Sequence, residues 1–184
     1  MTDVNTASRF TEQTALRNGT PVLIRVAMPQ DRERVVAAFA KLEAASIYTR
    51  FFSMRKEFSA AELDRFSGSD FVNTLSLAAL VGSAPDETMI GGATYVVLPS
   101  AGGEKSAEVA FTIEEDYQGQ GLAGQLLAML QRIARQHGIS FFEADVLVGN
   151  APMLKVFQRT GLPMKKTTEG GVTHLVIDLR QSGA

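Results

Sequence analysis

The chain has 184 residues, a formal net charge of -2, two histidines and no cysteine. That length fits one domain, and the charge balance gives no general attraction to nucleic acid or an anionic membrane. The missing cysteines exclude disulfides, thiolate nucleophiles and cysteine-bound metals, and with only His137 and His174 no metal site is expected.

Met1 to Gly19 holds no apolar block long enough for a signal peptide. No stretch approaches the ~20 apolar residues of a membrane helix. A cytoplasmic protein without a membrane partner is expected. Residues 1–20 read as a polar lead-in, with one helical turn around Phe10 to Leu16, and residues 21–184 as a single domain.

The β-branched run Val22 to Val26 predicts a strand. Pro29 to Asp31 opens a helix carrying Val35, Val36, Phe39, Ala40 and Leu42 at helical spacing. Further helical pieces are predicted over Ser46 to Phe52 and Ser59 to Phe66. Ser59 and Glu62 form a capping-box pair, and Gly68 is read as the stop. Then the period changes to two. Strands are expected over Thr74 to Val81, Met89 to Leu98 and Glu108 to Ile113, with turns at Gly82 to Glu87 and Pro99 to Lys105. Gly121 to His137 is a strongly amphipathic helix ended by Gly138. A strand over Ile139 to Val148 and a helix from Asn150 to Gly161 follow. Met164 to Thr168 and Val172 to Leu179 close as a hairpin across Glu169-Gly170-Gly171. The sum is one α/β domain with a mostly antiparallel sheet and one parallel crossover.

The segment that carries chemistry is Gln118-Gly119-Gln120-Gly121-Leu122-Ala123-Gly124, between a strand and a long helix. Glycines bring backbone N–H groups close to a ligand, and those at a helix start are unpaired and suited to a phosphate. The same glycines also fit a plain tight turn. Gly119-x-Gly121-x-x-Gly124 matches a dinucleotide fingerprint, with Glu143 and Asp145 about 20 residues on. Against this stand the acidic run Glu114-Glu115-Asp116 before the loop and the lack of further parallel crossovers. No Gly-Lys-Ser/Thr follows, so it is not a Walker loop either.

These residues resemble the Gln/Arg-x-x-Gly-x-Gly/Ala loop of the GNAT superfamily of acyl-CoA-dependent N-acetyltransferases. The strand Glu108 to Ile113 before it is similar too, as is the later Asn150-x-x-Met153-x-x-x-Phe157-x-x-x-Gly161-Leu162. Ser46 to Phe52, with Tyr48 and Arg50-Phe51-Phe52, and the start Glu108-Val109-Ala110-Phe111 resemble the Pat-type protein lysine acetyltransferases. The resemblance covers about residues 20 to 180. It implies a GNAT fold with a splayed parallel strand pair, helices on both sheet faces, and acetyl-CoA as acyl donor in the wedge.

Carried over residue by residue, Phe111, Thr112 and Ile113 hold the acyl carbonyl and pantetheine. Gln118, Gly119, Gln120, Gly121, Leu122, Ala123 and Gly124 hold the pyrophosphate. Asn150, Met153 and Phe157 complete the cofactor-binding set, Asn150 being either a pantetheine partner or a helix N-cap. Glu108 is the expected general base, with an exposed strand-end glutamate paired to Lys105 as the other reading. Asp145 is either a second cleft acid or a cross-strand partner, and Glu114 to Asp116 a solvated run. His137 and His174 are given structural or surface roles. Phe157 stands where many relatives have a tyrosine that reprotonates the thiolate, and it cannot do so.

The expected partners are acetyl-CoA and an amine acceptor, a protein lysine among the candidates, acting in a monomer or a homodimer. The other readings are a catalytically idle acyl-CoA-binding domain and, last, a dinucleotide-dependent oxidoreductase. Pat-type enzymes are often joined to nucleotide-binding or synthetase-like domains, for which 184 residues leave no room.

Overall fold

The structure, a computed structural model, describes residues 10–51, 59–67, 69–100 and 103–181. Eight strands form one sheet in the order β1-β2-β3-β4-β5-β6-β8-β7. They are β1 (Thr11–Ala15), β2 (Pro21–Val26), β3 (Thr74–Val81), β4 (Thr88–Val97), β5 (Lys105–Ile113), β6 (Ile139–Leu147), β7 (Met164–Glu169) and β8 (Val172–Asp178). Every neighbouring pair is antiparallel except β5 and β6. The helices are α1 (Arg32–Lys41), α2 (Ala44–Phe51), α3 (Ala60–Ser67), α4 (Leu122–Gln136) and α5 (Ala151–Gln158). The expected α/β architecture with one parallel crossover is therefore present.

Several boundaries differ from the expectations. The predicted helical turn at Phe10 to Leu16 is instead strand β1, paired residue for residue with β2 from Thr11↔Arg25 to Ala15↔Pro21. Its side chains are mostly exposed and carry no apolar alternation; the ladder to β2, not a buried face, holds it extended. Pro29–Asp31 forms a short 3-10 turn before α1 rather than its first α-helical turn. Strand β5 starts at Lys105, inside the expected turn. The side chains of Tyr48 to Phe51, together with Phe52 and the stop at Gly68, lie outside the described residues and side chains.

Alternation sorts the side chains onto two faces. On one face α4 and α5 pack over a core that includes Ile90, Tyr95, Val109, Leu126, Leu130, Ile133, Phe142, Phe157 and Leu175. On the other, α1 covers Ala27, Ala78, Leu80 and Met89 through Val35. α3 is capped as its sequence predicts: Glu62 accepts from the Ser59 amide at 2.9 Å, and the Ser59 hydroxyl accepts from the Glu62 amide at 3.3 Å.

Small residues let the central strands approach. A Cβ added to Gly92 would stand 2.5 Å from the Leu77 carbonyl oxygen, and one on Gly91 2.8 Å from that of Thr112. Both obstacles are backbone, so both positions require glycine.

Candidate active site

The site grows from the one parallel pair. β5 and β6 are in register from Lys105↔Ile139 to Glu108↔Glu143, and the pairing stops there. Both strands run on, β5 to Ile113 and β6 to Leu147, so residues 109–113 and 144–147 flank an open wedge. The β4–β5 ladder decides which backbone groups face it. The Glu114 amide donates to Ile90 and the Leu98 amide to Ser106. With the continuous register, alternation turns the peptide groups of Ala110 and Thr112 towards β4 and those of Phe111 and Ile113 towards the wedge.

At the mouth of the wedge the chain makes a 3-10 turn over Glu115–Tyr117 and enters the glycine loop. Gly119 (φ 70°) and Gly121 (φ 93°) are left-handed, a conformation costly for other residues. Gly121 is the N-cap of α4, and no side chain among the described residues caps the helix. Four N–H groups at a helix start lack intrahelical partners, an arrangement suited to an anion. A Cβ on Gly119 or Gly124 would meet nothing within 4 Å among the described residues. Gln118 Nε2 donates to the Ile113 carbonyl at 2.9 Å and to the Ser46 hydroxyl at 3.2 Å, fastening the loop to β5 and α2. Ala123 is half-buried, whereas the Leu122 side chain is buried in the core and offers the loop only its backbone.

Across the wedge, Asn150 caps α5, its Oδ1 accepting from the Met153 amide at 3.2 Å. Met153 is partly buried against the main core. Phe157 is buried within that core, edge-on to Phe111 with ring centroids 5.9 Å apart. The position thus holds packing and no proton donor.

Glu108 is exposed and stands opposite Val96 on β4 and Glu143 on β6. Glu108, Ala110 and Thr112 share one face of β5. Ala110 and Thr112 line a cavity of about 60 Å³ under α1, floored by Ser76, Ala78, Gly92 and Thr94. Glu114 also lines it, and its Oε2 is buried without a hydrogen-bond partner among the described residues. Glu115 Oε1 accepts from the Glu43 amide at 3.0 Å. These two residues are therefore not the solvated run expected from sequence.

His174 lies on the same face as Glu108. Its Nδ1 is 2.7 Å from Asp145 Oδ1 and its Nε2 3.6 Å from Glu143 Oε2. Asp145 is thus the cross-strand partner of His174, directly opposite it in register. The sequence named Glu143 only as a ribose acid and gave His174 no orientation. Arg17 belongs to no motif of the sequence, yet it reaches the glycine loop: its amide donates to Gln120 O at 3.1 Å and its Nη1 to Gly119 O at 3.2 Å. Nothing local marks such a residue, because its partners lie about a hundred positions away.

A splayed parallel pair beside an uncapped glycine loop is the acyl-CoA-binding arrangement that the sequence resemblance implies. Residues 43–162 match the acetyltransferase (GNAT) family, and the chain belongs to it. An acetyltransferase of Pseudomonas aeruginosa is 34% identical over 124 residues, which make up 67% of this chain and 65% of the relative. The acetyltransferase Pat of Mycolicibacterium smegmatis is 30% identical over 146 residues, 79% of this chain and 42% of that protein. Among solved structures, the GNAT domain of PAT from S. lividans superposes with a TM-score of 0.81 at 33% identity, covering 91% of this chain and 96% of that one. The matched stretch therefore spans less than two thirds of either curated relative.

Proposed function

We propose that the chain transfers an acetyl group from acetyl-CoA to a primary amine by direct attack within a ternary complex, with a protein lysine as acceptor and Glu108 as general base. One observation carries the reading: pairing between β5 and β6 stops at Glu108 and Glu143, so the wedge opens beside the carboxylate.

The donor's pyrophosphate meets the free amides of the glycine loop. Its thioester lies along β5, where the N–H groups of Phe111 and Ile113 face the wedge and can stabilise the tetrahedral oxyanion. The amine arrives on the α1 face, where the cavity and Glu108 share one side of the strand. An amine with the ordinary lysine pKa of about 10.4 loses its proton at pH 7 at a cost of about 4–5 kcal/mol. Glu108 takes that proton, directly or through one water. Nitrogen attacks the carbonyl carbon, the C–S bond breaks, and CoA leaves as thiolate. With phenylalanine at 157, the second proton of the attacking nitrogen reaches that thiolate through water, which leaves a neutral amide and CoA thiol.

The test is Glu108→Gln. Its kcat is expected to fall by about 10²–10⁴-fold, the range of a lost general base, while the Kd for CoA measured by calorimetry stays unchanged. A wild-type chain that binds acetyl-CoA but acetylates no amine, peptide or protein lysine in a broad screen would leave the idle-binder reading standing. Full activity in the variant would remove Glu108 from the mechanism.

A further inference from the structure

Arg17 stands outside the family-matched stretch of 43–162, in the turn between β1 and β2, yet it bonds to the glycine loop. Two successive carbonyls of the loop are fixed by this one residue. Its amide holds Gln120 O at 3.1 Å, and its guanidinium holds Gly119 O at 3.2 Å. A third tie runs the other way: Gln125 Nε2, in the first turns of α4, donates to Ala15 O at 3.0 Å. A Cβ placed on Gly121 would come within 3.7 Å of Arg17 Nε, so the guanidinium also lies along this part of the loop.

The consequence follows from peptide geometry. In a trans peptide the carbonyl and the next residue's N–H point in opposite directions. Holding Gly119 O and Gln120 O on the Arg17 side therefore turns the N–H groups of Gln120 and Gly121 away from it. These are the donors that an anion at the start of α4 would use. Left alone, a Gly-x-Gly segment samples many orientations, and ordering it on binding costs about 1–2 kcal/mol per residue. A loop ordered beforehand binds without that cost.

We propose that Arg17 is a positioning residue for the pyrophosphate of acyl-CoA: from the β1–β2 turn it pre-sets two peptide planes of the loop so that their N–H groups face the ligand. The inference rests on the reading of this chain as an acyl-CoA enzyme. It places part of the donor site in a turn that the family match does not include.

The experiment uses the full chain and two variants. Arg17→Met keeps the aliphatic stem and the main-chain bond but loses the guanidinium; Arg17→Lys restores one donor. Calorimetry with CoA is expected to show Kd raised about tenfold in Arg17→Met, the size of one lost charge-assisted hydrogen bond, and partly recovered in Arg17→Lys. Titration with S-acetylpantetheine, which lacks the pyrophosphate, is expected to be unaffected. Amide ¹⁵N relaxation of the free protein reads the cause. Order parameters at Gly119 to Gly121 should fall from the rigid range towards about 0.6 in Arg17→Met and recover in Arg17→Lys. Equal weakening of CoA and S-acetylpantetheine would overturn the inference in favour of a general structural role, and so would unchanged CoA affinity with an unchanged loop. Failure of the wild type to bind CoA would overturn the acyl-CoA reading first, which separates the two outcomes.

Discussion

Asp31 shows how much one buried carboxylate holds. It is fully buried where β2 passes into α1, the helix that walls the cavity. The Arg25 guanidinium grips it with bonds of 2.6 and 2.8 Å, Arg34 adds one of 3.0 Å, and the Met28 amide another of 2.8 Å. Burial alone would raise its pKa, but the Arg25 bonds, the Met28 amide and Arg34 outweigh it and hold the carboxyl below its usual range. Asp31→Ala leaves the Arg25 guanidinium without its carboxylate, while Arg34 keeps Glu87 at 3.5 Å, and should cost about 3 kcal/mol of stability, read from urea denaturation; a loss under 1 kcal/mol would contradict the geometry. His137 is a second case in which surroundings decide. At the C-terminal end of α4 a cation is favoured by the helix dipole, but burial, helped by Lys105, lowers the His137 pKa. Nδ1 of the neutral ring is hydrogen-bonded to the Tyr95 hydroxyl at 2.7 Å, and burial with Asp70's charge keeps that phenol protonated. A histidine depressed on folding contributes stability that is fully present above its unfolded pKa of about 6.5 and lost as pH falls through the folded value. Wild-type stability should therefore drop between pH 7 and pH 5 more steeply than that of His137→Gln, and parallel curves would refute the assignment.

The elements were legible in proportion to how local their causes are. α4 announced itself by spacing and α3 by Ser59 and Glu62. Asn150 fills the cap that its residue type suggests, with its Oδ1 on the Met153 amide. Asn150→Ala should cost about 1 kcal/mol, while Asn150→Asp should retain the cap. β1 was not legible, because Thr11 to Ala15 has no apolar alternation and its extended form is imposed by β2. The insertion of β8 between β6 and β7 is likewise set by long-range pairing. In the site, the glycine loop and the Glu108 strand could be placed from residue order, and their expected roles came only from the family resemblance. The side from which Arg17 arrives, the cavity beneath α1 and the direction of His174 depend on contacts between distant segments. Gly124 joins both kinds of cause. It lies in the first turn of α4 with nothing within 4 Å of an added Cβ. Gly124→Ala should therefore stabilise the free protein by up to about 1 kcal/mol through helix propensity. If the open face it borders receives the pyrophosphate, the same methyl group should weaken CoA binding. A variant both more stable and less able to bind CoA is the expected result; one that gains stability and keeps full affinity would move the ligand off this turn.

At the scale of the whole molecule, the proposed donor wedge opens at the one parallel seam of the sheet. β1 to β5 form one antiparallel block and β6 to β8 another, joined in the sheet only by the short register that ends at Glu108 and Glu143. α4 spans the seam, packing on β4, β5 and β6, and shares one continuous core with both blocks. A donor lying between residues 109–113 and 144–147 would add contacts to both sides at once. Binding to the folded chain alone stabilises it by about 2.7 kcal/mol at a ligand concentration 100 times Kd. For a domain of this size that raises Tm by roughly 5–10 °C. The continuous core argues that the blocks unfold together, so the gain should not stop at the block that holds the glycine loop. Hydrogen exchange tests this directly: with CoA bound, the slowest amides of β3 and of β8 should gain protection by the same factor. Protection rising in one block and not in the other would show that the seam separates two unfolding units and that α4 does not bind them into one.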